Sequence, residues 1–117
     1  MRIGIPAETR PGETRVAATP ETVKKLAVKH SIIVQAGAGL AASVTDEAYL
    51  AAGAQIGTAA EAFGAEVVLK VRAPDAAERG LMRAGTVLIG MLNPFDADNN
   101  AAMAAAGLQA FALEAVP

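Results

Sequence analysis

Residues 1–20 read MRIGIPAETRPGETRVAATP and contain three different kinds of sequence in order. A short apolar run, Arg2–Ile5, is followed by a polar loop, and the loop ends at a threonine and a proline. Thr19 can accept hydrogen bonds from free helix amides, and Pro20 fits the first position of a helix. This stretch therefore predicts a strand, a polar loop and a helix that runs to about residue 29.

The same alternation of short apolar runs and longer amphipathic segments continues along the chain. Further strands are predicted at 31–36, 54–56, 67–71, 86–91 and 109–113, and further helices at 45–53, after 58, at 75–82 and at 96–106. Most strands are continuous apolar runs, which is typical of strands covered on both faces. The pattern predicts an α/β fold, a mostly parallel sheet flanked by helices in three layers, Rossmann-like or flavodoxin-like, with one domain over residues 1–117.

Composition excludes several classes of function. The formal net charge of -2 argues against a nucleic-acid partner, and the lack of cysteine removes thiolate catalysis, thiolate metal sites and disulfides. The first apolar run is too short for a signal peptide, and no run approaches the roughly twenty residues of a membrane span. A cytoplasmic protein without a metal is predicted.

A glycine pattern follows the second predicted strand. Gly37, Gly39 and Ala42 satisfy G-x-G-x-x-A, in which glycines let a backbone approach a pyrophosphate at a helix start. Here the helix signal begins only at Thr45, and no acidic residue ends the next strand at Ile56 to bind a ribose hydroxyl. We therefore interpret the pattern as a tight turn and predict no cofactor-binding residue in it.

Two basic residues are candidates for an anion site. Arg15 lies in the polar loop at the carboxyl end of the first strand, where open α/β sheets place ligands, although a solvated or ion-paired arginine fits the same pattern. Lys70 lies among valines and a leucine in a predicted interior strand, where burying a cation is costly unless it has a partner or a function. The alternative is that the strand is an edge strand and the ammonium group of Lys70 extends to solvent. Arg72 is predicted to be an exposed charge.

The remaining polar candidates are weaker. Asn93 follows the fifth predicted strand and can offer an amide to the same cleft or form a turn before its proline. His30 is the only histidine and is interpreted as a cation at the end of the first helix. No catalytic triad, metal-ligand cluster or P-loop can be assembled from this sequence.

Three segments, GIPAETRPGETRVAATPETVKKL, QAGAGLAASVTDEAYLAAGA and VVLKVRAP, carry a family resemblance. Together they resemble the amino-terminal domain shared by alanine dehydrogenase and the alpha subunit of proton-translocating nicotinamide nucleotide transhydrogenase. The resemblance implies that Arg15 and Lys70 match an arginine and a lysine that bind the carboxylate and carbonyl of pyruvate in alanine dehydrogenase. It also places Asn93, in IGMLNPF, where that enzyme has a catalytic histidine.

Because asparagine cannot exchange a proton near neutral pH, this departure favours the transhydrogenase branch. The resemblance then implies that residues 1–117 are the amino-terminal part of a two-domain subunit whose NAD-binding Rossmann domain would follow residue 117. NAD(H) would be bound mainly outside this chain, and the chain alone would be inactive. The implied partners are that missing domain, an NADP-binding component, a membrane component and a second copy of the subunit, with a location peripheral to the inner membrane.

Two other interpretations of the sequence stay open. One is a fragment of alanine dehydrogenase or the related saccharopine dehydrogenase, and the other is a binding or assembly module that keeps the fold without the chemistry. The chain ends at Pro117 directly after a predicted strand, which favours a truncation and also fits a naturally short protein.

Overall fold

A computed structural model of the protein describes residues 1–92 and 96–112. The described elements alternate in βα order. They are β1 (Arg2–Ile5), α1 (Pro20–Leu26), β2 (Ser31–Gln35), α2 (Asp46–Ala51), β3 (Gln55–Gly57), α3 (Ala59–Phe63), β4 (Val67–Arg72), α4 (Ala76–Arg79), β5 (Val87–Met91), α5 (Ala97–Ala105) and β6 (Gln109–Ala112).

The strands form one six-stranded sheet in the order β3-β2-β1-β4-β5-β6, and every neighbouring pair is parallel. This is the Rossmann order, so the predicted α/β fold with a parallel sheet is confirmed. The order reverses between β1 and β4. In open sheets of this kind, ligands bind outside the carboxyl ends of the strands at that reversal.

Helices cover the sheet on both sides. On one side, α1 and α2 enclose a core of buried side chains that comprises Ile3, Ile5, Ala18, Val23, Ile32, Val34, Ala38, Tyr49 and Ala54. A second core contains Phe63, Val68, Ala73, Met82, Leu88, Leu92 and Met103. On this second side α3 lies so close to β1 that a Cβ atom at Gly4 would overlap the carbonyl oxygen of Ala62.

Coverage of the sheet is incomplete over β5 and β6. Leu88 is fully buried in the second core, whereas its neighbours Val87 and Ile89 point to the opposite face and are only half-buried. Phe111 pairs with Ile89 across the sheet and is 56% exposed. The expectation that apolar strands are covered on both faces is therefore wrong for this part of the sheet, within the described residues.

The predicted helix starts are confirmed, because an N-cap side chain accepts a backbone hydrogen bond at each one. These caps are Thr19, Thr45, Thr58, Asp75 and Asp96, and Thr58 forms the predicted capping box with Glu61. The helix ends were predicted less well, since α1 stops at Leu26 rather than near residue 29. The amide of His30 donates to the carbonyl of Leu26, and this turn directs the chain into β2.

Tyr49 joins α2 to the loop before α1. Its side chain is fully buried, and its hydroxyl donates to the carbonyl oxygen of Ala18 at 2.7 Å. We expect Tyr49→Phe to lower the free energy of unfolding by about 1–2 kcal/mol, because a buried carbonyl then loses its donor. Urea denaturation measures this change. An unchanged midpoint would show that water replaces the phenol as donor to Ala18.

Candidate functional site

The polar loop after β1 is shaped by a tight turn at residues 10–13. The amide of Glu13 donates to the carbonyl of Arg10 at 3.0 Å, and Gly12 adopts a φ of 79°. Proline followed by a glycine with positive φ is the arrangement of a type II turn. The turn places the loop side chains at the carboxyl edge of the sheet, where β1 and β4 are neighbours.

Lys70 is the buried cation of this edge. Its side chain is 1% exposed, and its Nζ atom lies 3.0 Å from Oε1 of Glu8 and 3.2 Å from Oε2 of Glu78. Those two carboxylate side chains are 2% and 9% exposed. The ammonium also lies 5.9 Å from the centre of the Phe63 ring. These three charged groups form a buried triad. Each charge needs the others, because burying any one of them unpaired would cost several kcal/mol.

Glu8 also connects the first loop to β4 through the backbone. Its two carboxylate oxygens accept hydrogen bonds from the amides of Val71, at 2.9 Å, and Arg72, at 3.1 Å. The pairing of β4 with β5 shifts register between Lys70 and Arg72, so amides near this irregularity need acceptors outside the sheet ladder. Glu8 therefore pairs with the buried ammonium of Lys70 and also accepts hydrogen bonds from the backbone at the irregular end of β4.

The position of Lys70 removes one of the two interpretations made from the sequence. The alternative that its head reaches solvent from an edge strand is wrong, because β4 lies between β1 and β5 and the residue is 2% exposed. Lys70 and Arg15 line one depression of about 400 Å³ at this edge. The described structure thus brings the two predicted cations to one place, although two carboxylates already bind the ammonium of Lys70.

Arg15 is held by Glu13. Its Nε and Nη2 atoms each donate to one oxygen of that carboxylate at 2.9 Å, and Nε of Arg72 donates to the same group at 2.8 Å. The Glu13 side chain is only 5% exposed, whereas the arginine side chains are 60% and 55% exposed. Arg72 is exposed as predicted, and it is also ion-paired. Arg15 is therefore the ion-paired loop arginine that the sequence offered as an alternative to an anion site, and its side chain remains accessible to solvent.

The two guanidinium groups also change the titration of Glu13. Hydrogen bonds from the Arg15 side chain, then from Arg72 and the Arg15 amide, hold the pKa of Glu13 well below its ordinary value. A carboxyl group with a lowered pKa stabilises the folded loop above its unfolded-state pKa, and this contribution is lost as pH falls through the folded-state pKa.

We expect Arg15→Gln to raise the pKa of Glu13 toward 4.5, the ordinary value for glutamate, and Arg72→Gln to raise it by less. Carboxyl-carbon NMR titration measures this, with Arg83→Gln at the opposite edge of the sheet as the control. Equal titration curves in all four proteins would contradict the assigned hydrogen bonds.

A larger cleft of about 560 Å³ opens beside these residues. It is lined by Arg10, Pro11, Arg15, Arg72, Ala73, Met91, Asp96 and Asn99. Nη2 of Arg10 donates to the carbonyl of Ala73 at 3.0 Å, which fixes this side chain against the end of β4. Lys70 does not line this cleft. The two depressions share Arg15, and the larger one adds Arg10 and Arg72 where the smaller one adds Lys70.

Several residues of the edge were not singled out by sequence reasoning. Glu8, Glu13 and Arg10 belong to the loop whose polarity was noted, but their individual roles depend on contacts with β4. Glu78 was placed only inside a predicted helix, although the spacing Asp75-x-x-Glu78 is a capping-box signal directly after the lysine strand. Asn93, the third predicted site residue, lies outside the described residues.

The residues of the glycine pattern form a closely packed turn. The amide of Gly37 already donates to Oδ1 of Asp46 at 2.9 Å. A Cβ atom at Gly39 would lie 2.8 Å from atoms of Tyr49 and Val44, so this glycine serves close packing. A single 3-10 turn over Leu40–Ala42 follows, and α2 begins later. The segment is a tight turn, as interpreted from the sequence.

Two other kinds of site are absent from the described parts of the chain. Within residues 1–92 and 96–112, no helix is long and apolar enough to cross a membrane. Over the same ranges, no three histidine or acidic side chains come together as a possible metal site.

The Rossmann strand order and the charged cluster beside its reversal define a Rossmann-type α/β domain with a cleft at its carboxyl edge. The sequence model described as "Alanine dehydrogenase/PNT, N-terminal domain" matches residues 4–117, and the chain belongs to this family. The predicted family is therefore confirmed.

Relatives from both branches are similar to the chain. An NAD(P) transhydrogenase alpha subunit protein of Rhodospirillum rubrum is 52% identical over 97 residues, which are 76% of this chain and 25% of that protein. The alanine dehydrogenase of Mycobacterium tuberculosis is 46% identical over 96 residues, 80% of this chain and 26% of that protein. The chain thus spans about a quarter of each relative's length.

A solved structure shows the same fold over the whole chain. The crystal structure of transhydrogenase from Sinorhizobium meliloti superimposes with a TM-score of 0.96 at 44% identity. The match covers 100% of this chain and 34% of that one.

Proposed function

We propose that this chain is the amino-terminal, cleft-lining part of the alpha subunit of a proton-translocating NAD(P) transhydrogenase. In this reaction a hydride passes between NADH and NADP, giving NAD and NADPH in one direction, while protons cross the membrane. The similarity to a transhydrogenase subunit at 52% identity and to a transhydrogenase structure with a TM-score of 0.96 supports this branch.

The environment of Lys70 is the structural observation on which this assignment rests. An enzyme that binds a 2-oxo acid through this lysine needs an ammonium that is open to the substrate. Here Glu8 and Glu78 both lie within 3.2 Å of Nζ, and the side chain is 1% exposed. By the family resemblance, the sequence also has Asn93, which cannot exchange a proton, where alanine dehydrogenase has its catalytic histidine. Both features fit an enzyme that does not process an amino acid.

The nicotinamide cofactors supply the hydride chemistry when they are bound. We propose that NAD(H) is held mainly by a second domain outside residues 1–117, because the glycine turn of this chain has no free amide at Gly37. The residues of this chain would form one wall of the interdomain cleft and exclude water from it. No residue of the chain is proposed to be catalytic.

The proposed setting includes several partners. They are the NAD-binding domain, an NADP-binding component, a membrane component that moves protons, and a second alpha subunit. The assembly would lie in the cytoplasm at the inner membrane and be attached through its partner subunits. The 117-residue chain alone would be inactive, since the proposed cofactor sites lie elsewhere.

The test uses the full alpha subunit that contains this sequence. Mixed with the NADP-binding component, it should reduce the acetylpyridine analogue of NAD with NADPH, and residues 1–117 alone should not. Lys70→Met in the full subunit should keep hydride transfer in the fraction that folds. Steady NADH production from L-alanine by the subunit alone would overturn the proposal.

One observation supports an alanine dehydrogenase instead. Arg15 and Lys70 line the same depression of about 400 Å³, as a shared carboxylate site would require. In that case Arg15, Lys70 and Asn93 would bind the substrate, and Lys70→Met would abolish alanine oxidation. A full-length protein with neither activity would indicate a binding or assembly module.

A further inference from the structure

The larger cleft gathers three arginines. Arg10 and Arg15 come from the loop after β1, and Arg72 comes from the end of β4, so only the fold brings them together. The whole chain has a net charge of -2, so this cluster does not follow from a basic composition. Like charges that converge on a cleft repel one another, and a bound anion relieves that repulsion.

The protein itself neutralises these arginines only in part. Glu13 accepts from Nε and Nη2 of Arg15 and from Nε of Arg72. Within the described residues, Arg10 donates to the carbonyl oxygen of Ala73 and forms no salt bridge. Because each guanidinium carries five N–H donors, most donors of the three groups stay available to a ligand.

An acidic residue also lines the cleft. Oδ1 of Asp96 accepts from the amide of Asn99 at 3.0 Å and so caps α5. Counting Asp96 and Glu13 against the three arginines leaves one excess positive charge at this site. The side chains of Arg15 and Arg72 are 60% and 55% exposed, which allows them to adjust to a ligand.

We propose that this cleft binds a phosphate-bearing anion of two or more charges, with the pyrophosphate group as the best match. A monocarboxylate presents two oxygens and fills one guanidinium fork, whereas several forks match an anion with many oxygens. The cleft of about 560 Å³ has the size of a small-molecule site and lies at the strand-order reversal. The proposal concerns anion affinity alone and is independent of the transhydrogenase assignment.

Calorimetric titration of the 117-residue chain with inorganic pyrophosphate at low ionic strength tests this inference. We expect saturable binding with one site, weakened about tenfold by Arg72→Gln and by Arg10→Gln, because each removes one charge-assisted contact. Arg83→Gln is the charge-matched control, since Arg83 lines a separate depression near the start of β5. Circular dichroism checks that each variant is folded.

Parallel titrations with phosphate, malonate and acetate identify the ligand chemistry. Weaker binding of phosphate and no saturation by acetate are expected. Malonate binding as tight as pyrophosphate binding would replace the phosphate proposal with a dicarboxylate site. Absence of saturation at millimolar pyrophosphate, or equal weakening by Arg83→Gln, would overturn it, and neither result bears on hydride transfer by the full subunit.

Discussion

Lys70→Met is expected to lower the free energy of unfolding by about 3–5 kcal/mol, which is the usual cost of removing one partner from a buried ion pair. The substitution leaves the carboxylates of Glu8 and Glu78, whose side chains are 2% and 9% exposed, without their shared cation. Methionine fills a similar volume, so the loss reports on charge rather than on a cavity. Urea denaturation followed by circular dichroism measures the change.

Two further variants keep this prediction specific. Lys24→Met, on the exposed side of α1, should change stability by less than about 0.5 kcal/mol. Adding Glu8→Gln and Glu78→Gln to Lys70→Met should recover part of the lost stability, because neutral amides then replace the two carboxylates that repel each other. A Lys70→Met protein as stable as the Lys24→Met control would show that the buried triad does not form.

The sequence predicts the helix starts and strands well because those signals are local. An apolar run such as Val67–Arg72 and a capping pair such as Thr58 and Glu61 are set by residues that are neighbours in the chain. The strand order is different, since Rossmann and flavodoxin orders share the same local pattern. The observed order differs in placing β1 beside β4, and this contact joins residues more than sixty positions apart in the chain.

The candidate site also has features that local sequence predicts and features that depend on long-range contacts. A lysine inside an apolar strand predicts that a partner exists, because a buried cation without one is too costly. The identity of the partners depends on how α4 folds back over β4 and how the first loop returns to the sheet edge, which local pattern does not specify. The anionic environment of Lys70 was therefore not predicted, although its burial in an interior strand was.

Gly90→Ala is expected to destabilise the protein by about 3 kcal/mol or more, at the upper end of what overpacking costs. Gly90 pairs with Lys70 across β4 and β5, and a Cβ atom at this position would overlap the Lys70 carbonyl oxygen. The obstacle is backbone rather than a flexible side chain, so the two strands must move apart where the register already shifts.

Gly80→Ala is the matched control for this change. Gly80 has ordinary helical dihedral angles at the end of α4, and its new Cβ would meet the nearest heavy atom at 3.4 Å, which is normal contact. Because Gly90 adjoins the triad, Gly90→Ala and Lys70→Met should also be non-additive, with the double variant losing less than the sum of the single losses. Stability losses that are equal for Gly90→Ala and Gly80→Ala, or strictly additive with Lys70→Met, would contradict the close approach of β5 to the backbone that carries Lys70.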